Sequence, residues 1–419
     1  MNTPSSDQLP RSFGAVPRTG VIFVMEKAAA RGFTAGDQDW VNLGQGAPET
    51  GNLPGSPPRL DSIPINMCAR EYAPVAGLPR LREAVAELYN QRFRGGKSSQ
   101  YGPENVAISA GGRAGLTRIA AALDRIHLGH FLPDYTAYEE LLELFRDFIP
   151  IPILCKGGRL PDAKQLREEI VGRGLGGLLL SNPCNPTGDL VHGENLKQWL
   201  ELSRELSCAM IFDEFYSHYI YTDDVQPGGA NSAAAFVDDV NQDAVLIVDG
   251  LTKNWRYPGL RLSWTLGPKS VIEAIASAGS FLDGGAPHPI QEAAVPLLEA
   301  PVAEQEALSI QKEFGRKRRF MLQKLRELGL VIDFEPSGGF YCFASLEKLP
   351  PHLSNCMDFF HAALEKKVIT VPGHFFDVNP GQRRSHLPSR LQQFVRLSFG
   401  PSMQEVKLGL ERIADLVHN

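Results

Sequence analysis

Residues 249–261 read Asp-Gly-Leu-Thr-Lys-Asn-Trp-Arg-Tyr-Pro-Gly-Leu-Arg. The apolar run Val245 to Val248 just before them predicts a short buried strand that ends where this stretch begins. Lys253 then sits in a turn, and Arg261 follows eight positions later. An ammonium held at a strand's end is partly desolvated. Its pKa falls, and the amine becomes a nucleophile toward an aldehyde. An arginine nearby grips a phosphate in two-pronged fashion. Taken alone, the same spacing also fits a solvated loop, so the rest of the chain has to decide.

Outward from this stretch the pattern alternates. Strands are expected at Asn105–Ser109, Phe148–Leu154, Gly177–Leu180, Ala209–Phe212, Ala244–Val248 and Leu260–Leu266. Helices are expected at 115–126, 162–171, 194–206 and 269–278. The two prolines in Phe148–Leu154 place that strand at an edge. Such alternation predicts an α/β fold, with a mostly parallel sheet between helices. Upstream, helical spacing covers 20–33 and 78–93, Val41–Pro48 reads as a strand entering a turn, and 49–64 is irregular.

Beyond about residue 300 the character changes. A long charged helix (304–328) precedes strands near Val331–Phe334 and Phe340–Phe343, paired around Pro336-Ser337-Gly338-Gly339. A helix at 357–366, a strand at Phe394–Ser398 and a helix at 404–417 complete a smaller α+β domain, to which the N-terminal segment adds. The expected division is an arm and part of the small domain (1–65), a large domain (66–300) and the C-terminal small domain (301–419).

The chain has 419 residues, 43% hydrophobic and 21% charged, with a net charge of −6. That is ordinary for a soluble globular protein and points to neither nucleic acid nor a membrane as partner. Six cysteines, none in a CxxC pair, read as reduced thiols of a cytoplasmic protein, not a disulfide frame or metal site. The polar first dozen residues are expected to be mobile, and no apolar run reaches the roughly 20 residues of a membrane helix.

Open α/β sheets bind ligands beyond the carboxyl ends of their strands, so the residues after each strand are the candidates. Gly111, Gly112 and Arg113 open a helix whose N-terminus favours a phosphate; a plain turn is the alternative. Tyr135, in Pro133–Tyr138, is placed to stack on a flat ring or merely to pack on the surface. Asn182-Pro183-Cys184-Asn185-Pro186-Thr187-Gly188 forms a rigid turn that presents its amides, and Asn185 is suited to donate to a phenolate oxygen. Asp213, ending a buried strand, needs a partner or carries a raised pKa. A protonated pyridine nitrogen would serve, with Tyr216 sharing the phenolate; a turn cap is the alternative. Arg396, inside the apolar strand Phe394–Ser398, needs either a substrate carboxylate or a structural salt bridge.

Together these residues describe a lysine-bound aldehyde that carries a phosphate, which is pyridoxal phosphate. In their order and context the chain resembles the pyridoxal-phosphate aminotransferases of fold type I, class I/II, from about residue 20 to the end. The resemblance implies transfer of an amino group between an amino acid and a 2-oxo acid. Lys253 becomes the Schiff-base lysine (the internal aldimine) and proton shuttle, and Asp213 the partner of the pyridine nitrogen. Asn185 and Tyr216 lie on the ring hydroxyl, and Tyr135 stacks on the ring. Gly111, Gly112, Arg113, Thr252 and Arg261 hold the phosphate, and Gly46 and Arg396 the substrate carboxylate. Tyr72 matches a tyrosine that reaches the phosphate of a partner subunit, implying a homodimer with shared active sites.

There are departures from the family's pattern. Gly250 stands where a serine is often found, and Arg113 where a small or hydroxyl residue is common. Residues 270–290 hold no lysine or arginine, which argues against an acidic side-chain pocket of the aspartate-enzyme type. Asp283 and His288 there read as solvated loop residues, or as groups favouring a neutral or basic substrate. The same parts would also serve a lyase, a cyclising synthase or an amino-acid oxidase. A non-catalytic ligand sensor ranks lower, because such chains carry a longer N-terminal DNA-binding module.

Overall fold

The computed structural model describes residues 20–418; the first dozen residues, expected to be mobile, lie outside them. The strands are β1 (Val41–Asn42), β2 (Val106–Ser109), β3 (His127–Leu132), β4 (Ile149–Leu154), β5 (Leu175–Ser181), β6 (Ala209–Asp213), β7 (Val245–Gly250), β8 (Ser263–Leu266), β9 (Tyr341–Ser345), β10 (Val368–Ile369), β11 (Val371–Pro372) and β12 (Phe394–Ser398). Seven of them form one sheet in the order β2-β8-β7-β6-β5-β3-β4. Neighbours from β7 through β4 are parallel, and β8 runs antiparallel to both β7 and β2. The proline-containing β4 is an edge strand, as its two missing N–H donors require.

Both faces of this sheet are buried, which explains why its strands read as apolar runs without alternation. Successive residues nevertheless face opposite ways. Leu179, Ile211 and Val248 pack in one cluster with Leu116, Ile119, Ile272 and Ile275 from the helices Gly112–Ala122 and Lys269–Leu282. Leu178, Leu180, Met210, Phe212 and Ile247 pack on the other face, against Leu166 and Trp199 of helices Ala163–Arg173 and Gly193–Leu206.

A second sheet, β11-β12-β9, is antiparallel. The N-terminal segment joins this C-terminal part of the chain. β1 pairs in parallel with β10, and Val24, Ala28 and Trp40 pack with Phe360, Leu364, Ile369 and Phe376.

One pairing departs from expectation. Residues 331–334 do not form a strand with 340–343; a single bridge joins Val331 to Ser345, and β9 pairs with β12 instead. The intervening Pro336–Gly339 segment is drawn away to dock on the Asn182–Gly188 turn. Gly338 N donates to Gly188 O at 2.9 Å, and Tyr221 N to Ser337 O at 2.9 Å. The strand expected at Leu260–Leu266 begins only at Ser263. Pro258–Leu260 forms a 3₁₀ turn and Arg261 takes a left-handed conformation (φ 50°), which turns its side chain back toward the sheet end.

Candidate active site

Tyr135, Asn185, Asp213 and Lys253 follow or end β3, β5, β6 and β7, so four adjacent parallel strands deliver them to one edge of the sheet, where the crevice of an open sheet lies. The Lys253 side chain is partly open, and its Nζ donates in a close contact to Gly46 O. Burial pushes the ammonium down to about 7, and the guanidinium groups of Arg396, Arg261 and Arg113 add to that. Near neutrality the amine is therefore substantially unprotonated, the state a nucleophile or base requires.

Asp213 is buried, and Tyr138 donates to its Oδ2 at 2.8 Å. Burial lifts the carboxyl from 3.8 to about 6, against the opposing pull of that hydrogen bond. Asn185 Nδ2 lies 3.5 Å from the Tyr216 hydroxyl, which in turn lies 3.0 Å from the Tyr341 hydroxyl. Burial raises the Tyr216 phenol well above its ordinary value, and Tyr341 adds to the shift.

Arg396 is buried at the centre of β12. Its Nη1 donates to Asn185 Oδ1 and its Nη2 to Gly44 O, each at 2.8 Å. Its guanidinium carbon lies 4.2 Å from the Tyr341 ring centre. Among the described residues no carboxylate pairs with it, and its Nε is buried without a partner. A buried cation with a free N–H and no carboxylate beside it is suited to accept an anion.

Arg261 and the Gly111 turn meet directly. Gly111 has φ 90°, which favours glycine, and a Cβ there would lie 2.3 Å from Arg261 Nη2, so any other residue would also push the guanidinium aside. Gly112 starts the helix that follows. Thr252 Oγ1, nearby in the Lys253 turn, is buried with no partner. Arg113 Nη2 donates to the Tyr135 hydroxyl at 3.1 Å. The absence of serine at Gly250 also has a cause: a Cβ there would sit 2.5 Å from Leu262 O.

Tyr72 is 97% exposed and is not part of this cluster within one chain. Asp283 stays exposed, as a loop residue was expected to be, but it also holds a buried partner: Arg118 Nε donates to its Oδ2 at 2.9 Å. His288 Nδ1 is engaged with Glu71 O at 3.0 Å. The sequence reading missed Tyr138 and Tyr341. Tyr138 stands three residues past Tyr135 on the first helical turn. Tyr341 follows the Ser337–Gly339 turn, and its hydroxyl lies 3.5 Å from where a Gly46 Cβ would be. Among the described residues no cluster of acidic, histidine or cysteine side chains suits a metal.

The fold and this arrangement are those of a pyridoxal-phosphate enzyme that handles amino groups. A sequence model of the family described as aminotransferase class I and II matches residues 38–413, and the chain belongs to that family. A probable aspartate/prephenate aminotransferase of Thermus aquaticus is 29% identical over 351 residues, covering 82% of this chain and 83% of the relative. The aspartate/prephenate aminotransferase of Thermus thermophilus is 29% identical, covering 82% of each. A double mutant of Thermus thermophilus aspartate aminotransferase superposes with a TM-score of 0.76 and 26% identity, over 97% of this chain and 99% of that one. An aminotransferase from Mycobacterium tuberculosis gives 0.77 and 25%, over 96% and 97%.

The protein is thus a pyridoxal-phosphate-dependent transaminase. The unpartnered Thr252 hydroxyl, the glycine cradle against Arg261 and the burdened Asp213 carboxyl fit that cofactor's phosphate and pyridinium.

Proposed function

We propose that Lys253 is the residue to which the cofactor is joined and the base of the reaction. The observation that carries this reading is a single amine at the end of β7, surrounded by three guanidinium groups and facing Asp213. Pyridoxal phosphate, when bound, supplies an electron sink for the bond broken at the amino acid's α-carbon.

The chain's own residues do the rest. The Gly111 turn, the N–H of Gly112, the Thr252 hydroxyl, Arg113 and Arg261 would take the phosphate. Asp213 keeps the proton on the ring nitrogen, and a cation there reverses the cost of burying its carboxylate. Asn185 Nδ2 and the Tyr216 hydroxyl hold the ring oxygen, and Tyr135 stacks on the ring. Arg396, with Gly46 beside it, binds the α-carboxylate and so fixes which α-bond is presented to Lys253. Lys253 Nζ would take up the α-proton and, as the ammonium, deliver it to the cofactor's carbon.

The exposed Tyr72 belongs to the same reading. Ile65 and Met67 nearby are exposed as well, at 61% and 77%. A second copy of the chain would cover this surface and receive Tyr72 at its phosphate site, giving a homodimer with shared active sites. We further propose a cytoplasmic protein; among the described residues no helix is long and apolar enough to cross a membrane. The division at about residues 65 and 300 completes the reading, with the N-terminal segment and the C-terminal region forming the part that carries Arg396.

The relatives' names point to aspartate and prephenate as first donors and acceptors to try. The test is Lys253→Ala with a panel of amino acids and 2-oxoglutarate. The variant is expected to lose essentially all turnover. Near-normal turnover would sink the assignment, and ammonia release by the wild type without an acceptor would favour a lyase or oxidase.

A further inference from the structure

Two loops build the reactive centre: residues 213–219 after β6, which carry Tyr216, and 249–254 at the end of β7, which carry Lys253. Between them lies Asn254, 0% exposed. Its Nδ2 donates to Asp249 Oδ1 at 2.8 Å, to Ser217 Oγ at 2.9 Å and to Glu214 O at 3.1 Å. Its Oδ1 accepts from His218 N at 3.0 Å, and its backbone carbonyl lies 2.9 Å from His218 Nδ1. One side chain thus ties the strand end before Lys253 to the loop that holds Tyr216.

We infer that Asn254 is a positioning residue that fixes the height and direction of the Lys253 side chain against Tyr216 and Asp213. This inference rests on the assignment of Lys253 made above. Lys253 must serve one atom as a covalent partner and another as a base, so its backbone must not drift. Gly250 ends β7 and pairs with Ser263, but the turn from Leu251 to Asn254 lies beyond the ladder, so its position depends on other bonds. Asp249 Oδ1 also accepts from Gly250 N at 2.6 Å, the Tyr219 hydroxyl donates to Lys253 O at 2.9 Å, and Glu214 N donates to Val248 O at 2.8 Å. Asn254 is the member of this set that reaches both loops through one rigid amide.

An amide is the group that satisfies the site. Its NH₂ has two hydrogens for three acceptors and its oxygen takes the remaining donor. A carboxylate would lack those donors and would face Asp249 and the Glu214 carbonyl. An apolar side chain would leave Asp249 Oδ1 and His218 N short of partners in a dry place.

The test compares Asn254→Ala and Ser217→Ala with wild type and Lys253→Ala, all as purified protein. The first readout uses cofactor-free enzyme: the pH dependence of labelling of Lys253 by an amine-reactive reagent, quantified by peptide mass. The second is kcat and KM of the cofactor-loaded enzyme, and the third is melting temperature. Asn254→Ala is expected to displace the labelling midpoint and to lower kcat by about 100-fold, the cost of an ångström-scale misplacement, with KM changed by less than about 3-fold. Ser217→Ala, which removes one of the three acceptors, is expected to give a smaller change in the same direction. It also keeps the question open to an answer should Asn254→Ala not fold.

A lower melting temperature with an unmoved labelling midpoint and unmoved kcat would overturn the positioning role. Lys253→Ala separates the two layers: if that variant is inactive while the Asn254 and Ser217 variants behave as wild type, the inference about Asn254 fails and the assignment of Lys253 stands. If Lys253→Ala is active, the assignment itself has failed.

Discussion

Arg118 and Arg396 are both buried arginines in apolar surroundings, yet they are completed differently. Arg118 lies on the helix Gly112–Ala122 and donates to both Asp283 oxygens and to Ile108 O. Arg256 is a second case of the same kind, with its Nε 2.7 Å from Glu306 Oε1. Arg396, on β12, has only an amide oxygen and a backbone carbonyl, with one nitrogen unpartnered. Where the chain supplies the counter-charge, the cation is scaffold. Arg94 is buried on backbone carbonyls alone, but there every nitrogen of the guanidinium has a partner; Arg396 has neither a carboxylate nor a full set of acceptors, which suits the proposed ligand carboxylate. Sequence alone does not separate the two, because in each case it shows an arginine among apolar residues.

The largest expected effects split along this line. Arg396→Ala should lower kcat/KM for amino acids by roughly 10²–10⁴-fold, because two charge-assisted hydrogen bonds to the α-carboxylate are each worth about 1.5–3 kcal/mol. Its melting temperature should fall modestly, since Asn185 Oδ1 and Gly44 O lose a donor but no carboxylate loses its counter-charge. Arg118→Ala should do the reverse. It leaves the buried Ile108 carbonyl without its donor and costs about 1–3 kcal/mol of stability, with the kinetic constants of the surviving folded enzyme near wild type. Urea melts and steady-state kinetics on both variants decide the matter, and matching behaviour in the two would erase the distinction.

A smaller effect is expected at Asp213, where the counter-charge is again to come from the ligand. In cofactor-free enzyme its pKa is raised from 3.8 to about 6 by burial. Between those values the folded state holds a proton that the unfolded state releases, so stability falls as pH rises through this window. Above about 6 the full cost is present. Asp213→Asn should therefore stabilise cofactor-free protein at pH 8, by on the order of 2–3 kcal/mol, and the gain should vanish near pH 4. Melting curves at the two pH values test it; an equal gain at both would show that the charge is not the cause.

What the sequence disclosed follows the same logic. The ends of β5, β6 and β7 were legible because buried parallel strands leave apolar runs and because Asn182–Gly188 combines two Asn-Pro pairs. Asn185, Asp213 and Lys253 could therefore be expected after the ends of three buried strands, while Arg396 was read from its own strand Phe394–Ser398. The Arg118–Asp283 pair was not legible: 165 positions separate the partners, and no local pattern encodes the contact. The docking of Pro336–Gly339 on the Asn-Pro turn was hidden for the same reason, so the segment read as a hairpin. Tyr138 and Tyr341 looked like ordinary core aromatics; their hydroxyl partners are set by tertiary packing.

Tyr341 carries the smallest expected effect and sharpens the contrast between scaffold and site. Its ring is fully buried, packs on Arg396 and Phe340, and would fill the core equally well as phenylalanine. Its hydroxyl lies 3.0 Å from that of Tyr216, and this contact is what a phenylalanine would lack. Tyr341→Phe removes this oxygen and leaves Tyr216 with Asn185 Nδ2 at 3.5 Å, a longer and weaker bond. The net value of one neutral hydrogen bond is about 0.5–1.5 kcal/mol, so kcat/KM should fall by roughly 2- to 10-fold. Melting temperature should be nearly unchanged because the packed volume is kept. Tyr216→Phe should cost more, since it deletes the hydroxyl assigned to the ring oxygen itself. If Tyr341→Phe proved the more damaging of the two, the ring oxygen's contact would have to be moved from Tyr216 to Tyr341.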